Sequence, residues 1–192
     1  MKLNQAYKIA SSILEELAPF CQRAEIAGSI RRRRHEVKDI EIVVIPTCHE
    51  QPDLFGRAIS KSYPLHDYLA FQFCRTHKRI KGGEKYIQYE LHHGINLDLF
   101  MVTPPAQWGV QFVLRTGPAQ FSHWLVTNKY KGGALPDQFR IKDGAVRSLY
   151  NDIVIDTPEE SDLFDLLGLK WIKPEQRIAV WNREQNRHLQ PI

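Results

Sequence analysis

The apolar positions in the first part of the chain follow two different periods. Over residues 4–19 they recur every three or four positions, as at Ile13 and Leu17, which predicts an amphipathic helix. Residues 23–27 suit a short strand, and residues 39–45 form an apolar run rich in β-branched side chains, which predicts a buried strand. These elements favour an α+β fold in which a helix packs against a sheet.

The middle of the chain predicts one helix and a group of strands. Residues 52–62 are expected to form a second helix, since Pro64 follows shortly after them. Residues 71–102 suit a meander of three strands, with turns at Gly82-Gly83 and at His92-His93-Gly94.

A break in the pattern divides the chain. Thr103-Pro104-Pro105 suggests a boundary, so we expect one domain over residues 1–105 and a second over residues 106–192. The second domain is expected to begin with a helix over 106–115 and a helix opened by Pro118, followed by a hairpin at Asp143-Gly144. After the hairpin we expect a helix with a capping box at Thr157 and an end at Gly168, and then a C-terminal tail.

Composition narrows the class of protein. The chain has 192 residues, of which 43% are hydrophobic and 25% are charged, as in soluble globular proteins. The net charge of +4 suits a polyanionic partner without establishing one. Three cysteines without a C-x-x-C pair argue against a disulfide scaffold and for a reducing, cytoplasmic location. No signal peptide or apolar stretch long enough for a membrane span is present, so we expect no membrane association.

Two acids lie inside the strand predicted over residues 39–45. Asp39 and Glu41 are two positions apart, so their side chains share one face of a strand. Neighbouring like charges repel, and their removal from water costs several kcal/mol unless they are compensated. A divalent cation supplies that compensation, and Mg²⁺ prefers a couple of carboxylates together with substrate phosphates. The pair therefore predicts a metal site.

A glycine-serine turn precedes these acids. Gly28 lets the backbone approach a ligand closely, and Ser29, ten residues before Asp39, stands where it could cap a helix. Arg32 could hold a phosphate through its forked donors. Asp98 lies in a later apolar strand; alone it is equally well explained as an edge-strand acid, but beside the other two it would complete a two-metal site. A phosphate-binding turn together with a two-metal site is the combination that nucleotidyl transfer requires.

Basic residues are concentrated in two places. The hairpin around Gly82-Gly83 is basic, and a nucleic-acid contact and a plain solvated hairpin explain it equally well. The same two alternatives hold for three arginines beside the glycine-serine turn, namely Arg31, Arg33 and Arg34. The candidate DNA-binding residues of the hairpin are Lys78, Arg79, Lys81 and Lys85.

Taken together, these motifs resemble those of the family X DNA polymerases, the group that includes polymerase beta. The matching features are Gly28-Ser29, the acids Asp39 and Glu41 beginning ten residues after the serine, Asp98 in an apolar strand, and Thr116-Gly117 eighteen residues later. The segment 162–169 resembles the last helix of the family's thumb, and the resemblance extends to about Arg177.

The resemblance implies a nucleotidyltransferase palm with a mixed β-sheet and helices, followed by a small α/β thumb. It implies that Asp39, Glu41 and Asp98 are catalytic and bind two Mg²⁺ ions, with Mn²⁺ as an alternative, and that Asp98 takes the proton of the primer 3′-hydroxyl. The implied nucleotide-binding residues are Gly28, Ser29, Arg32, Leu114, Arg115, Thr116, Gly117 and Ser122. The implied enzyme is a monomeric DNA-directed DNA polymerase that adds dNTPs to primer-template or gapped DNA, as in short-gap repair.

The chain departs from the family pattern at two places. Glu41 replaces the usual second aspartate, and Leu114-Arg115 replaces the pair of aromatic residues usual before the Thr-Gly turn. In the resembled family the peptide bond after that glycine is cis, and a following proline reduces the cost of cis to about 0.5–1 kcal/mol. We therefore expect a cis Gly117–Pro118 bond.

Two other functions fit the same residues. One is a nucleotidyltransferase that modifies a small molecule, RNA or protein. The thumb-like second half disfavours it, because small-molecule enzymes need no module that grips a duplex. The other is a non-catalytic DNA-binding protein. The intact set of three acids disfavours it, because loss of catalysis would free those costly positions to change.

Overall fold

The structure, a computed structural model, describes residues 1–52, 58–92 and 94–178. Its strands are β1 (Cys21–Ile26), β2 (Asp39–Pro46), β3 (His49–Pro52), β4 (Ala58–Ser62), β5 (Lys78–Gly82), β6 (Tyr86–Glu90), β7 (Asn96–Met101), β8 (Phe139–Lys142), β9 (Ala145–Ser148) and β10 (Val154–Ile155). Its α-helices are α1 (Leu3–Leu17), α2 (Gly28–Arg31), α3 (Pro64–Tyr68), α4 (Cys74–Thr76), α5 (Trp108–Thr116), α6 (Ala119–Val126) and α7 (Glu160–Leu167). A π-helical turn spans Leu69–Phe73, and 3₁₀ turns span Ala18–Phe20, Lys129–Lys131 and Pro174–Gln176.

The chain divides into two units. The first comprises Met1–Ile26 and His35–Met101, and the second comprises Ala27–Arg34 and Val102–Ile192. The short helix α2 and the arginines beside it therefore belong with the second unit, although most of the first unit follows them in sequence.

The first unit is built on a mixed five-stranded sheet with the order β1-β2-β7-β6-β5. β2 and β7 are parallel, and every other neighbouring pair in this sheet is antiparallel. β5, β6 and β7 form the three-stranded meander predicted from the sequence, although it begins only at Lys78. The mixed sheet with its helices confirms the α+β class.

The core of the first unit includes the apolar stripe of helix α1. On α1 the residues Ala6, Ala10, Ile13 and Leu17 are buried, which is the stripe of a helix that packs on one side. This helix contacts β1 and β2. Complete burial of an aliphatic side chain contributes about 1.5–3 kcal/mol, so this stripe fixes α1 against the sheet.

The second unit has a core of its own. β8, β9 and β10 form an antiparallel sheet, in which Asp143 and Gly144 have φ of 53° and 76° at the predicted hairpin turn. Helix α7 ends where predicted, with Gly168 in the left-handed conformation at φ 70°. The buried core residues include Val110, Val113, Phe121, Leu125, Leu135, Val146, Leu163, Phe164 and Leu167.

The helix predicted over residues 52–62 is wrong where the structure describes that segment. β4 is a strand that pairs antiparallel with β3, and Glu50 lies opposite Lys61 with an ion pair of 3.1 Å. Residues 53–57 of the prediction lie outside the described residues. A strand depends on the partner beside it, which propensities in a short window do not reveal.

Three predictions of local geometry are also wrong. Ser29 does not cap α2, because Ala27 occupies the N-cap position and Ser29 lies inside the helix. Glu159 rather than Thr157 is the N-cap of α7, and its backbone N–H donates to Asp162 Oδ2 at 2.7 Å. The Gly117–Pro118 bond is trans, and within the described ranges the cis bond recorded is Pro104–Pro105.

Candidate functional site

Three carboxylates lie on one face of the first unit's sheet. Asp39 and Glu41 are half-buried, whereas the intervening Ile40 is fully buried on the other face. In the parallel pairing of β2 with β7, Asp39 lies opposite Asn96 and Glu41 lies opposite Asp98. The strand register therefore brings together the three acids that we predicted to be catalytic and metal-binding. We call these three residues the acid row.

Asp98 is held in place by the neighbouring strand β6. Gln88 lies opposite Asp98, and its amide Nε2 donates to Asp98 Oδ1 at 2.8 Å. The hydroxyl of Tyr86 donates to the same oxygen at 2.7 Å, and the Tyr86 ring stacks on Phe100 with 5.1 Å between centroids. Each hydrogen bond to an ionised acceptor contributes about 1.5–3 kcal/mol, so the Asp98 carboxylate has a fixed orientation.

The acid row offers oxygen ligands of the kind that Mg²⁺ prefers. Adjacent strands lie about 4.8 Å apart, so Glu41 and Asp98 place like charges side by side, an arrangement that a cation would stabilise. No three His, Cys, Asp or Glu side chains form a ready metal-binding group in the described parts of the chain. Mg²⁺ usually binds through one or two carboxylates plus substrate phosphates rather than in an all-protein cage, so the row remains compatible with it.

The loop 27–34 carries the predicted phosphate-binding residues and belongs to the second unit. Gly28 has φ of 60°, a conformation that favours glycine. The Oγ of Ser29 is buried and has no hydrogen-bond partner among the described residues. Arg32 donates from Nη1 to the main-chain oxygen of Thr116, which ties the loop to the end of α5.

The predicted Thr-Gly turn lies at the end of α5. Thr116 is fully buried, and its Oγ1 accepts a hydrogen bond from Arg31 Nη1 at 2.8 Å. A Cβ at Gly117 would come within 2.7 Å of Phe121 Cδ1 and 2.8 Å of Ser122 Oγ. Because Phe121 is completely buried and has no room to move, the turn requires glycine.

The remaining predicted nucleotide-binding residues lie beside this turn. Ser122 Oγ donates to the main-chain oxygen of Leu114 at 2.8 Å, which joins α6 to α5. The Leu114 side chain packs against the core of the second unit, and Arg115 is exposed in the last turn of α5. The structure therefore gathers loop 27–34 and the Thr-Gly turn in the second unit, whereas the acid row lies in the first.

The sequence did not predict a buried ion network in the second unit. Glu160 accepts two hydrogen bonds from Arg31, from Nη1 to Oε1 and from Nη2 to Oε2, both at 2.7 Å. The fully buried Arg177 donates from Nη1 to Glu160 Oε1 at 2.9 Å and from Nε to the Ile172 oxygen at 3.1 Å. The Arg31 guanidinium also lies 3.9 Å from the centre of the Phe112 ring. We call Arg31, Glu160 and Arg177 the arginine network.

Burial and the two arginines act in opposite directions on Glu160. Burial is the largest single influence and raises its pKa, because the charged carboxylate loses water. The hydrogen bonds and charges of Arg31 and Arg177 together outweigh burial, so the pKa of Glu160 is lowered from its ordinary value. Glu160 is therefore ionised at neutral pH, and it is the counter-charge of both arginines.

The basic residues predicted to contact DNA lie at the edge of the first unit's sheet. β5 is an edge strand, and all of its residues are exposed. Lys78 forms an ion pair of 3.4 Å with Glu90, and Arg79 donates to the main chain of the turn at 2.9 Å. Lys81 and Lys85 are exposed as well. Charged residues on an edge also block unwanted strand pairing, so both interpretations of this hairpin remain open.

Comparison with protein-family models finds no matching model, and comparison with curated proteins finds no significant match. Among the helices within the described residues, none is both long and apolar enough to cross a membrane. The function therefore has to be argued from the chemistry of the acid row and of the loop 27–34.

Proposed function

We propose that the protein is a template-directed DNA polymerase of the family X type, which adds deoxynucleotides to a primer 3′-hydroxyl and fills short gaps during DNA repair. The observation that carries the proposal is the parallel pairing of Glu41 with Asp98, with Asp39 two residues away on the same face. A row of oxygen ligands of this kind suits Mg²⁺ and nucleotide phosphates.

Each acid has a part in the proposed reaction. Asp39, Glu41 and Asp98 would hold magnesium, which when bound lowers the pKa of the attacking hydroxyl and offsets charge on the transferred group. Tyr86 and Gln88 both donate to Asp98 Oδ1, so they orient this carboxylate. An ionised carboxylate only accepts hydrogen bonds, so Asp98 would receive the proton of the 3′-hydroxyl, while that oxygen bonds to the α-phosphorus of the nucleotide and pyrophosphate leaves.

The second unit would bind the triphosphate of the incoming nucleotide. A buried hydroxyl without a partner costs about 1–3 kcal/mol, and a phosphate oxygen would satisfy Ser29 Oγ. Arg32 is oriented by its hydrogen bond to the Thr116 oxygen, and a planar guanidinium suits phosphate recognition. The left-handed Gly28 leaves no side chain in the way of a ligand.

The exposed basic hairpin supports a DNA substrate. Lys78, Arg79, Lys81 and Lys85 follow one another along an edge strand and its turn, where a phosphate backbone could lie beside them. We assign them to backbone contacts, which position a duplex and carry no sequence preference.

The test is primer extension on DNA with a one-nucleotide gap, with each template base, each dNTP and Mg²⁺. We expect incorporation of the complementary nucleotide, and no incorporation when the metal is chelated. Incorporation that ignores the template base, or transfer only to RNA or to a small acceptor, would indicate the other kind of nucleotidyltransferase. Binding of gapped DNA by the folded protein without any transfer would indicate a non-catalytic DNA-binding protein.

A further inference from the structure

We infer that Glu160 is the positioning residue that holds the loop 27–34 in its nucleotide-binding shape, acting through Arg31. The inference rests on the proposed function, since it gives Glu160 a part in binding the nucleotide. Glu160 itself would not touch the nucleotide, because its carboxylate is already surrounded by protein donors.

The contacts form a continuous path from Glu160 to the loop. The carboxylate binds Arg31 through two parallel hydrogen bonds, which fixes the plane of the guanidinium. Arg31 then donates to the side chain of Thr116, and the next residue, Arg32, donates to the Thr116 main chain. Two adjacent loop residues are thus fastened to one buried residue of α5.

Glu160 is itself held rigidly. Its side chain is 8% exposed, and Arg177 approaches it from a fully buried position. The indole Nε1 of Trp171 donates to Oε2 at 3.3 Å. A carboxylate with donors on both oxygens has little freedom to rotate, so it can fix the position of Arg31.

The neighbouring arginine provides a contrast within the same loop. Arg33 is 78% exposed, and its partner Glu175 lies 3.2 Å away with 39% exposure. Exposed ion pairs of this kind contribute little, because water and salt screen them. The ion pair of Arg31 therefore constrains the loop more than the ion pair of Arg33 does.

The experiment uses variants of the full chain. Glu160→Gln removes the charge, Glu160→Asp keeps the charge but shortens the reach, and Thr116→Val removes the second acceptor of Arg31 without altering any buried charge. Glu175→Gln is the matched control, since it removes the acidic partner of an arginine in the same loop. Two readouts apply to each folded variant: hydrogen exchange at the amides of residues 32–34, and steady-state kinetics with Mg·dNTP and gapped DNA.

We expect faster exchange at these amides and a KM for the nucleotide raised about tenfold in Glu160→Gln and in Thr116→Val, with the KM for DNA unchanged. The exchange rates and the nucleotide KM of Glu160→Asp should lie between those of Thr116→Val and those of the unaltered protein. Both quantities should be the same in Glu175→Gln as in the unaltered protein. If Glu160→Gln does not fold, Glu160→Asp and Thr116→Val together decide the question.

Two outcomes separate the inference from the function on which it rests. Exchange rates and nucleotide KM values that stay unchanged in folded Thr116→Val and Glu160→Asp would overturn the positioning role while leaving the polymerase proposal intact. If the unaltered protein transfers no nucleotide, the polymerase proposal fails, and the exchange rates still decide whether Glu160 holds the loop.

Discussion

The acid row of the first unit and the arginine network of the second unit both depend on carboxylates, but they hold them in different ways. In the acid row, strand pairing sets the positions, so Glu41 and Asp98 face each other because β2 and β7 share a register. In the arginine network, Arg31 and Glu160 are 129 residues apart and are joined through their side chains. The acid row can therefore lose one charge and keep its backbone, whereas the network cannot lose its only carboxylate without leaving the partly buried Arg31 and the fully buried Arg177 unbalanced.

The largest effect is expected at the acid row. Asp39→Asn or Asp98→Asn should lower kcat for nucleotide incorporation at least about ten-thousandfold, because each would remove one of the proposed metal ligands at the reacting groups. The thermal midpoint and the affinity for gapped DNA should change little. Glu15→Gln is the control, since Glu15 is an exposed acid on α1 of the same unit and should be dispensable. Substantial residual incorporation by either aspartate variant would contradict the assignment.

The arginine network should show the opposite pattern. Glu160→Gln leaves Arg31 and Arg177 without their counter-charge, and the loss of one partner from a buried pair destabilises a protein by about 3–5 kcal/mol. Denaturant unfolding would measure this change. Glu175→Gln, at an exposed ion pair, should cost at most about 1 kcal/mol. Equal costs for the two variants would mean that the network contributes no more than a surface pair.

Acid should reduce the stability that Glu160 contributes to the folded protein. The pKa of Glu160 is lowered in the folded protein, so its ionised form contributes stability above the ordinary glutamate pKa of about 4.3. That stability is lost as the pH falls through the lower pKa of the folded state. The difference in unfolding free energy between the unaltered protein and Glu160→Gln should therefore narrow as the pH falls below about 4.3. A difference that stays constant down to pH 2 would contradict this account.

A smaller effect is expected from the donors that orient the acid row. Tyr86→Phe removes one hydrogen bond to Asp98, and such bonds to charged groups contribute about 1.5–3 kcal/mol, so kcat should fall about ten- to hundredfold. Tyr89→Phe is the control on the same strand, because its hydroxyl donates to the Leu69 oxygen at 3.1 Å. It should lower stability and leave kcat unchanged. If Tyr86→Phe and Tyr89→Phe had similar kcat values, the hydrogen bond from Tyr86 to Asp98 would be unimportant for catalysis.

The smallest effect concerns the basic hairpin of the first unit. Each phosphate contact adds about 0.9 to the slope of log affinity against log salt concentration, so replacing Lys81 and Lys85 by alanine should flatten that slope by up to about two. Lys142→Ala removes an exposed lysine of the second unit and is the control. A slope that does not change would assign the hairpin to solvent and to protection of the sheet edge.

The contrast between the acid row and the arginine network also explains which features could be predicted from the sequence. Helix α1, strand β2 and the hairpin at Asp143-Gly144 were predicted correctly, because their signals lie within a few neighbouring residues. Asp39 and Glu41 were predicted to share a face because strand periodicity is equally local. The parallel pairing of β2 with β7 then places Asp98 opposite Glu41.

Predictions failed where a distant partner decides the outcome. β4 forms against β3, so the helix expected over residues 52–62 was wrong. Arg31 had two open interpretations, solvent exposure and DNA contact, and the structure instead pairs its charge with Glu160. Nothing near Arg31 in sequence marks a glutamate so far along the chain as its partner. A run of arginines therefore indicates positive charge, but not which groups those arginines contact.

The central claim is that the acid row binds the metal that activates the nucleotide. The most direct test is a crystal of the protein with Mn²⁺ and a non-hydrolysable dNTP analogue, in which anomalous scattering locates the metal. The account predicts Mn²⁺ within coordination distance of Asp39, Glu41 and Asp98, with the triphosphate bound to the same ion. Mn²⁺ bound at other carboxylates, or a bound nucleotide with no metal at the acid row, would contradict it.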